Sequence, residues 1–128
     1  MITAVYVAVY TFIIVWLSMR VIGQRLKYRV SVGDGDAEEL KIAMGAQSNA
    51  VEYLPLSLLL LLCLELNGAG AWLIHVFGIT LIAGRAYHIN GMFTRRLKYR
   101  VLGMRLTISS LLLLSVANLV YLPYARLW

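Results

Sequence analysis

The sequence predicts an all-α integral membrane protein, with four transmembrane helices in an up-down bundle. Three observations carry that expectation. First, 61% of the 128 residues are hydrophobic, against about 45–50% in ordinary soluble domains. One membrane span uses roughly 20 apolar residues, so four would use about 80, and the chain supplies about 78. Second, only 14% of the residues are charged, where about a quarter is usual. Third, the basic residues gather in two short segments between apolar runs. A disordered chain, a disulfide-stapled secreted domain and most soluble folds are excluded. The spans leave almost nothing for a second domain, so residues 1–128 are expected to form a single one.

The first apolar run is Thr3 to Ile22. It lacks the basic start and small-residue cleavage site of a secretory signal, so it is expected to be retained. Gly23 to Asp36 reads as a loop, with Gly33-Asp34-Gly35-Asp36 supplying turn chemistry. Asp36 is the expected N-cap of the second helix, Ala37 to Leu66, and Glu38 and Glu39 favour its positive end. The first two turns of that helix are too polar for lipid and should project beyond the bilayer. Asn67-Gly68-Ala69-Gly70 is a tight turn. The third helix is expected over Ala71 to Asn90 and the fourth over Arg105 to Tyr121, stopped by Pro123. Pro55 frees the carbonyl of Val51 within the second helix and is expected to kink it.

Charge sets the expected direction. Twelve Lys and Arg against six Asp and Glu give a net charge of +6. Confined as they are to loops, these charges speak for membrane orientation and not for nucleic acid. Arg25, Lys27 and Arg29 follow the first helix, and Arg95, Arg96, Lys98 and Arg100 follow the third. The intervening turn and the N-terminus carry no Lys or Arg, and the tail carries only Arg126. The expectation is cytoplasmic basic loops and both termini outside.

The hexapeptide RLKYRV occurs twice, at Arg25–Val30 and Arg96–Val101. Two readings stay open: convergent snorkelling, with Tyr28 and Tyr99 in the aromatic belt, or two equivalent anion-binding edges. Cys63 has no partner for an internal disulfide and reads as a small apolar residue.

Ionisable and polar residues inside a span mark interior or wet positions. Asn49 and Glu52 on the second helix and Arg85 and His88 on the third are such residues. Counted from the Asn67–Gly70 turn, Glu52 lies about 21 Å deep and Arg85 about 22 Å, so they are level. They are expected to converge, either as a packing ion pair or as a ligand site. Asn49 and Glu52, at i and i+3, share a helix face continued by Gly45 and Lys41. His75 reads as a helix-packing histidine and Asn118 as interhelical glue. Two histidines at unrelated depths offer no metal-ligand spacing. Ser109 and Ser110 lack a histidine or acid on their helix face, so no serine nucleophile is expected.

The stretch AQSNAVEYLP, Ala46 to Pro55, resembles the RAxxNxxEYxP motif of the MAPEG proteins, membrane-associated proteins of eicosanoid and glutathione metabolism. RLKYRVSVGDGD before the second helix and GRAYHINGM at the end of the third are similar to a bacterial branch of that family. The resemblance implies a four-span homotrimer in the bacterial inner membrane that binds glutathione between subunits. It also implies a glutathione transferase or peroxidase acting on lipophilic electrophiles at the cytoplasmic side. By position, Asn49, Glu52 and Tyr53 match motif residues that contact the tripeptide. Arg25 and Arg85 match arginines that hold its carboxylates or support the site. The arginine that stabilises the thiolate corresponds to Arg100 or Arg105. Three positions depart from the pattern: Gly45 stands for the leading arginine, His88 for a tyrosine, and Met92 for a further tyrosine. Gly45 and His88 motivate an alternative, a non-catalytic member that binds a membrane lipid or amphiphile or acts as a scaffold. Physically, a ligand with two carboxylates and one ammonium needs arginines and one acid, and a guanidinium beside a thiol favours the nucleophilic thiolate.

Overall fold

A computed structural model describes residues 1–126 as four long helices and one short 3₁₀ turn. α1 spans Thr3–Tyr28, α2 Glu38–Leu66, α3 Ala71–Phe93 and α4 Leu97–Tyr121, and the turn is Tyr124–Arg126. All four helices are long and apolar enough to cross a membrane. The architecture is the expected up-down bundle. α2 contacts every other helix, α3 and α4 pack most closely, and among the described residues α1 and α4 do not meet.

α3 runs three residues past Asn90, and two boundaries differ more widely from the expectation, for one physical reason. α1 runs six residues past Ile22, and α4 begins eight residues before Arg105. Polar residues end a hydrophobic run without ending a helix, because Arg, Lys, Leu and Gln are all good helix formers. The polar end of α1 is tied to the polar start of α2. Glu39 accepts from Lys27 Nζ at 2.9 Å and from the Tyr28 hydroxyl at 2.8 Å. Asp36 is not the N-cap: Ala37 takes that position, and Asp36 lies in the left-handed region at φ 59°.

The two RLKYRV copies are not structurally equivalent. The first closes a helix and the second opens one, with Arg96 as the N-cap of α4. Tyr28 bonds Glu39, whereas Tyr99 stacks on Tyr87 at 6.2 Å between centroids. Three helices end in the same left-handed cap. Arg29 (φ 55°), Gly68 (φ 87°) and Arg95 (φ 56°) each reverse the chain. The following N–H groups of Val30, Ala69 and Arg96 return to carbonyls five residues back.

Most large apolar side chains face outward, as lipid-facing helices require, while a thin core joins Tyr10, Leu17, Leu54, Leu61, Leu81 and Leu114. Polar clamps supplement it. At the end opposite the basic loops, the Glu65 carboxylate accepts the backbone N–H groups of Ile2 and of Thr3, the latter at 2.8 Å. It thereby caps α1 from α2. The Tyr6 hydroxyl meets His75 Nδ1 at 2.7 Å, which makes His75 a packing residue. Asn118 Nδ2 donates to the Leu60 carbonyl at 2.9 Å across helices, the expected role of interhelical glue. At the α3–α4 crossing the backbones nearly touch. A Cβ on Gly91 would lie 2.4 Å from the Arg100 nitrogen, and one on Gly103 would lie 2.4 Å from the His88 nitrogen.

Candidate functional site

Arg85 organises the interior. It is fully buried on α3 and donates to Asn49 Oδ1 on α2 and, at 3.0 Å, to Thr107 Oγ1 on α4. The Thr107 hydroxyl in turn donates a hydrogen bond to the Gly103 carbonyl at 2.9 Å. One guanidinium thus ties three helices together through neutral oxygen acceptors. The Arg85 Nε has no partner among the described residues.

The expected Glu52–Arg85 convergence does not form within the chain. Glu52 is exposed on the outside of α2, where the Ser48 hydroxyl reaches it at 3.5 Å. The two residues are level in depth, but a helix turns about 100° per residue. Three residues separate Asn49 from Glu52, so Glu52 is rotated by roughly 60° from Asn49, away from α3 and α4. Desolvating both charges against each other would also repay little. Tyr53, next to Glu52, is half-buried.

Asn49 nevertheless opens onto a second feature. A crevice of about 440 Å³ lies between α2, α3 and α4, and it is lined by Asn49, His88, Arg100 and Arg105 together with Met104 and Ser109. Four of the eight candidate residues therefore share one cavity, within the size range of small-molecule sites. His88, one turn along α3 from Arg85, is only 4% exposed, and its Nδ1 has no partner among the described residues. Arg100 and Arg105 are both exposed. Ser109 shares the crevice with His88, although no hydrogen bond joins them among the described residues.

Arg25 lies elsewhere. Its guanidinium donates to the Gly33 carbonyl at 2.9 Å and reaches the Ser31 carbonyl at 3.4 Å, clamping the α1–α2 loop. Within one chain it does not join the crevice.

Sequence reasoning missed Thr107, the second support of Arg85. The signal was present as Gly103-x-x-x-Thr107-x-x-Ser110, a stripe of small residues that lets α4 approach α3. It also missed that two departures from the motif are neighbours. A Cβ on Gly45 would lie 2.9 Å from the Met92 methyl group. The glycine and the methionine that stand for an arginine and a tyrosine of the pattern thus face each other across α2 and α3.

The chain matches the MAPEG family over residues 3–120. It belongs to the MAPEG family. Among its relatives is the inner membrane protein YecN of Escherichia coli (strain K12), 40% identical over 124 residues, which cover 97% of this chain and 95% of that protein. YecN of Escherichia coli strain CFT073 matches to the same extent. The MAPEG assignment accounts for the four spans and for the motif's place on α2, beside the buried arginine of α3.

Proposed function

We propose that this MAPEG protein is a glutathione-binding protein of the bacterial inner membrane, acting as a glutathione transferase or peroxidase on lipophilic electrophiles. The supporting observation is the crevice that gathers Asn49, His88, Arg100 and Arg105 in front of the buried Arg85. Lys98 and Arg100 lie in the first turns of α4, which hold no acid in the first turn. Cations at a helix N-terminus are unfavourable by about 0.3–1 kcal/mol each. Helix stability does not account for them; membrane orientation does for Lys98, which lies outside the crevice, while Arg100 lines it and suits an anionic ligand there. The inner-membrane assignment rests on the relatives named YecN.

The basic loops face the cytoplasm and both termini face the periplasm, by the distribution of Lys and Arg. The working unit is a homotrimer. Glu52 is a carboxylate on the outer surface of a membrane helix, and a carboxylate facing hydrocarbon is costly. A second copy covering that face places Glu52 and Tyr53 against its neighbour's crevice, where Glu52 takes the ligand ammonium. Arg25 of the α1 end then serves the ligand carboxylates from across the interface.

In this reading Arg100 or Arg105 stabilises the thiolate, and the thiol proton leaves to water. As a transferase, the sulfur forms a bond to an electrophilic carbon and the leaving group departs with the displaced electron pair. As a peroxidase, two thiols give one disulfide while the peroxide takes up two electrons and two protons, yielding an alcohol and water. The apolar side chains Val101, Met104 and Ile108 at the same crevice receive the lipophilic partner from the bilayer.

The experiment is a titration of the purified protein with glutathione, followed by ultraviolet thiolate absorbance. Saturable binding at millimolar thiol or below is expected, and its absence refutes the reading. The placing of Met92 where a Gly45 Cβ would lie 2.9 Å from its methyl group favours a second reading, a non-catalytic member that binds a lipid or amphiphile or serves as a scaffold. That reading expects Glu52→Gln to weaken assembly in detergent without altering any affinity for glutathione.

A further inference from the structure

α1 and α3 touch at few points, because α1 packs chiefly on α2 and α3 chiefly on α4. Between them, in the half nearer the basic loops, lies a groove of about 640 Å³ that is overwhelmingly apolar. Phe12, Trp16 and Arg20 line one side, at intervals of four along α1. Ile82, Ala86 and Ile89 line the other, with Ala86 the small residue that hollows the middle. This groove is separate from the α2–α3–α4 crevice and shares no lining residue with it.

Its length and polarity are informative. Phe12 lies nine residues from the start of α1, about 14 Å along the helix, close to the bilayer midplane. From Phe12 to Arg20 the groove runs about 12 Å, against a leaflet of hydrocarbon about 15 Å thick. It therefore occupies one leaflet only, from the midplane to the basic interface. A partner helix would need a seat along the whole span, whereas an acyl chain needs one leaflet.

The interfacial end is cationic and pre-arranged. The Arg20 guanidinium lies 5.0 Å from the Phe93 ring centroid and 5.7 Å from that of Trp16. Trp16 and Phe93 stand edge to face at 5.8 Å and form a floor under it. Among the described residues Arg20 has no ion-pair partner, and the exposed Asn90 adds a polar group at the same mouth. A polar cleft continues outward from Arg20 past Gln24 to Arg95. Its one acid is Glu39, which Lys27 already holds at 2.9 Å. Arg95 reaches Glu38 at only 3.8 Å. An apolar shaft one leaflet long, ending at a held guanidinium, matches the shape and charge of a phospholipid with a net negative headgroup.

We propose that the α1–α3 groove is a lipid site, holding an acyl chain of an anionic phospholipid from the leaflet at the basic end, with the phosphate against Arg20. The inference does not depend on the thiol-binding reading.

The test uses the full chain in mild detergent, with phosphatidylglycerol and phosphatidylcholine supplied in equal amounts and retained lipid counted by native mass spectrometry. Phosphatidylglycerol should be preferred by about fivefold, the effect of one interfacial arginine. Arg20→Gln should reduce that preference to near unity, and Arg20→Lys should retain most of it. Ala86→Phe should fill the groove and lower retention of both lipids. Arg29→Gln, away from the groove, should change nothing. Equal retention of the two lipids overturns the proposal, as does a preference that survives Arg20→Gln. So does displacement by inorganic phosphate, which would make Arg20 a simple ion site. A change of oligomeric mass in Ala86→Phe without loss of lipid would mean that a second copy fills the groove. Glutathione binding should be unaffected by Arg20→Gln, so failure here leaves the thiol-site reading intact.

Discussion

Arg85 offers a sharp test, because its two supports are neutral and unequal. Asn49→Leu removes the Oδ1 acceptor and leaves a fully buried guanidinium with Thr107 as its one remaining partner. A hydrogen bond to a charged group contributes about 1.5–3 kcal/mol, and a half-satisfied buried charge adds desolvation cost. The expected loss is about 3 kcal/mol. Arg85→Met behaves differently. It removes the charge but keeps most of the volume, and Thr107 still donates to the Gly103 carbonyl, so only Asn49 is left wanting. Replacing a buried charge by an apolar side chain of similar size is often neutral, and a loss of about 1 kcal/mol or less is expected. The double variant should be more stable than Asn49→Leu alone, since the orphaned charge is gone. Reversible unfolding in mixed micelles, followed by circular dichroism, reads all three. If Arg85→Met proves the most damaging, the guanidinium stabilises the bundle outright and the argument is wrong.

Four further outcomes follow from the same geometry. Gly103→Ala should cost several kcal/mol, about 3 or more, because its Cβ would sit 2.4 Å from the His88 backbone nitrogen and the α3–α4 crossing must spread; unfolding in micelles measures it. Glu65→Ala should destabilise by about 1–2 kcal/mol through loss of the α1 cap, with hydrogen exchange rising first at the N-terminus of α1. Arg29→Gly should stabilise by about 1 kcal/mol, as glycine adopts the φ of 55° without the cost of a Cβ; a higher melting temperature is the readout. Of Arg100→Ala and Arg105→Ala, one should abolish the thiolate absorbance of bound glutathione, and the other should chiefly weaken affinity by about 10- to 150-fold.

Span number, helix order and which polar residues fall within the spans were legible in the sequence. Hydrocarbon thickness and the rise of a helix convert residue counts directly into height. The helix ends were less legible, since hydropathy reports where lipid stops and not where hydrogen bonding stops. Arg25–Tyr28 and Leu97–Met104 are polar or mixed, yet they continue α1 and α4. The candidate site was visible as a set of residue types and a motif, but its grouping was not. Asn49, His88, Arg100 and Arg105 meet in one crevice, while Glu52, one turn from Asn49, faces away.

The chain's own letters therefore determined that it crosses a membrane four times, which segments are basic, and that a MAPEG-like motif sits level with Arg85. Those properties follow from transfer free energy and from distance along a helix, both one-dimensional. Which neighbour each polar group meets depends on how the helices are rotated about their axes and how closely they cross. Gly84, Gly91 and Gly103 bring α3 against α4, and that contact sets Thr107 beside Arg85 and turns His88 inward. Azimuth and approach are set by side-chain packing between helices, and only the tertiary structure decided them.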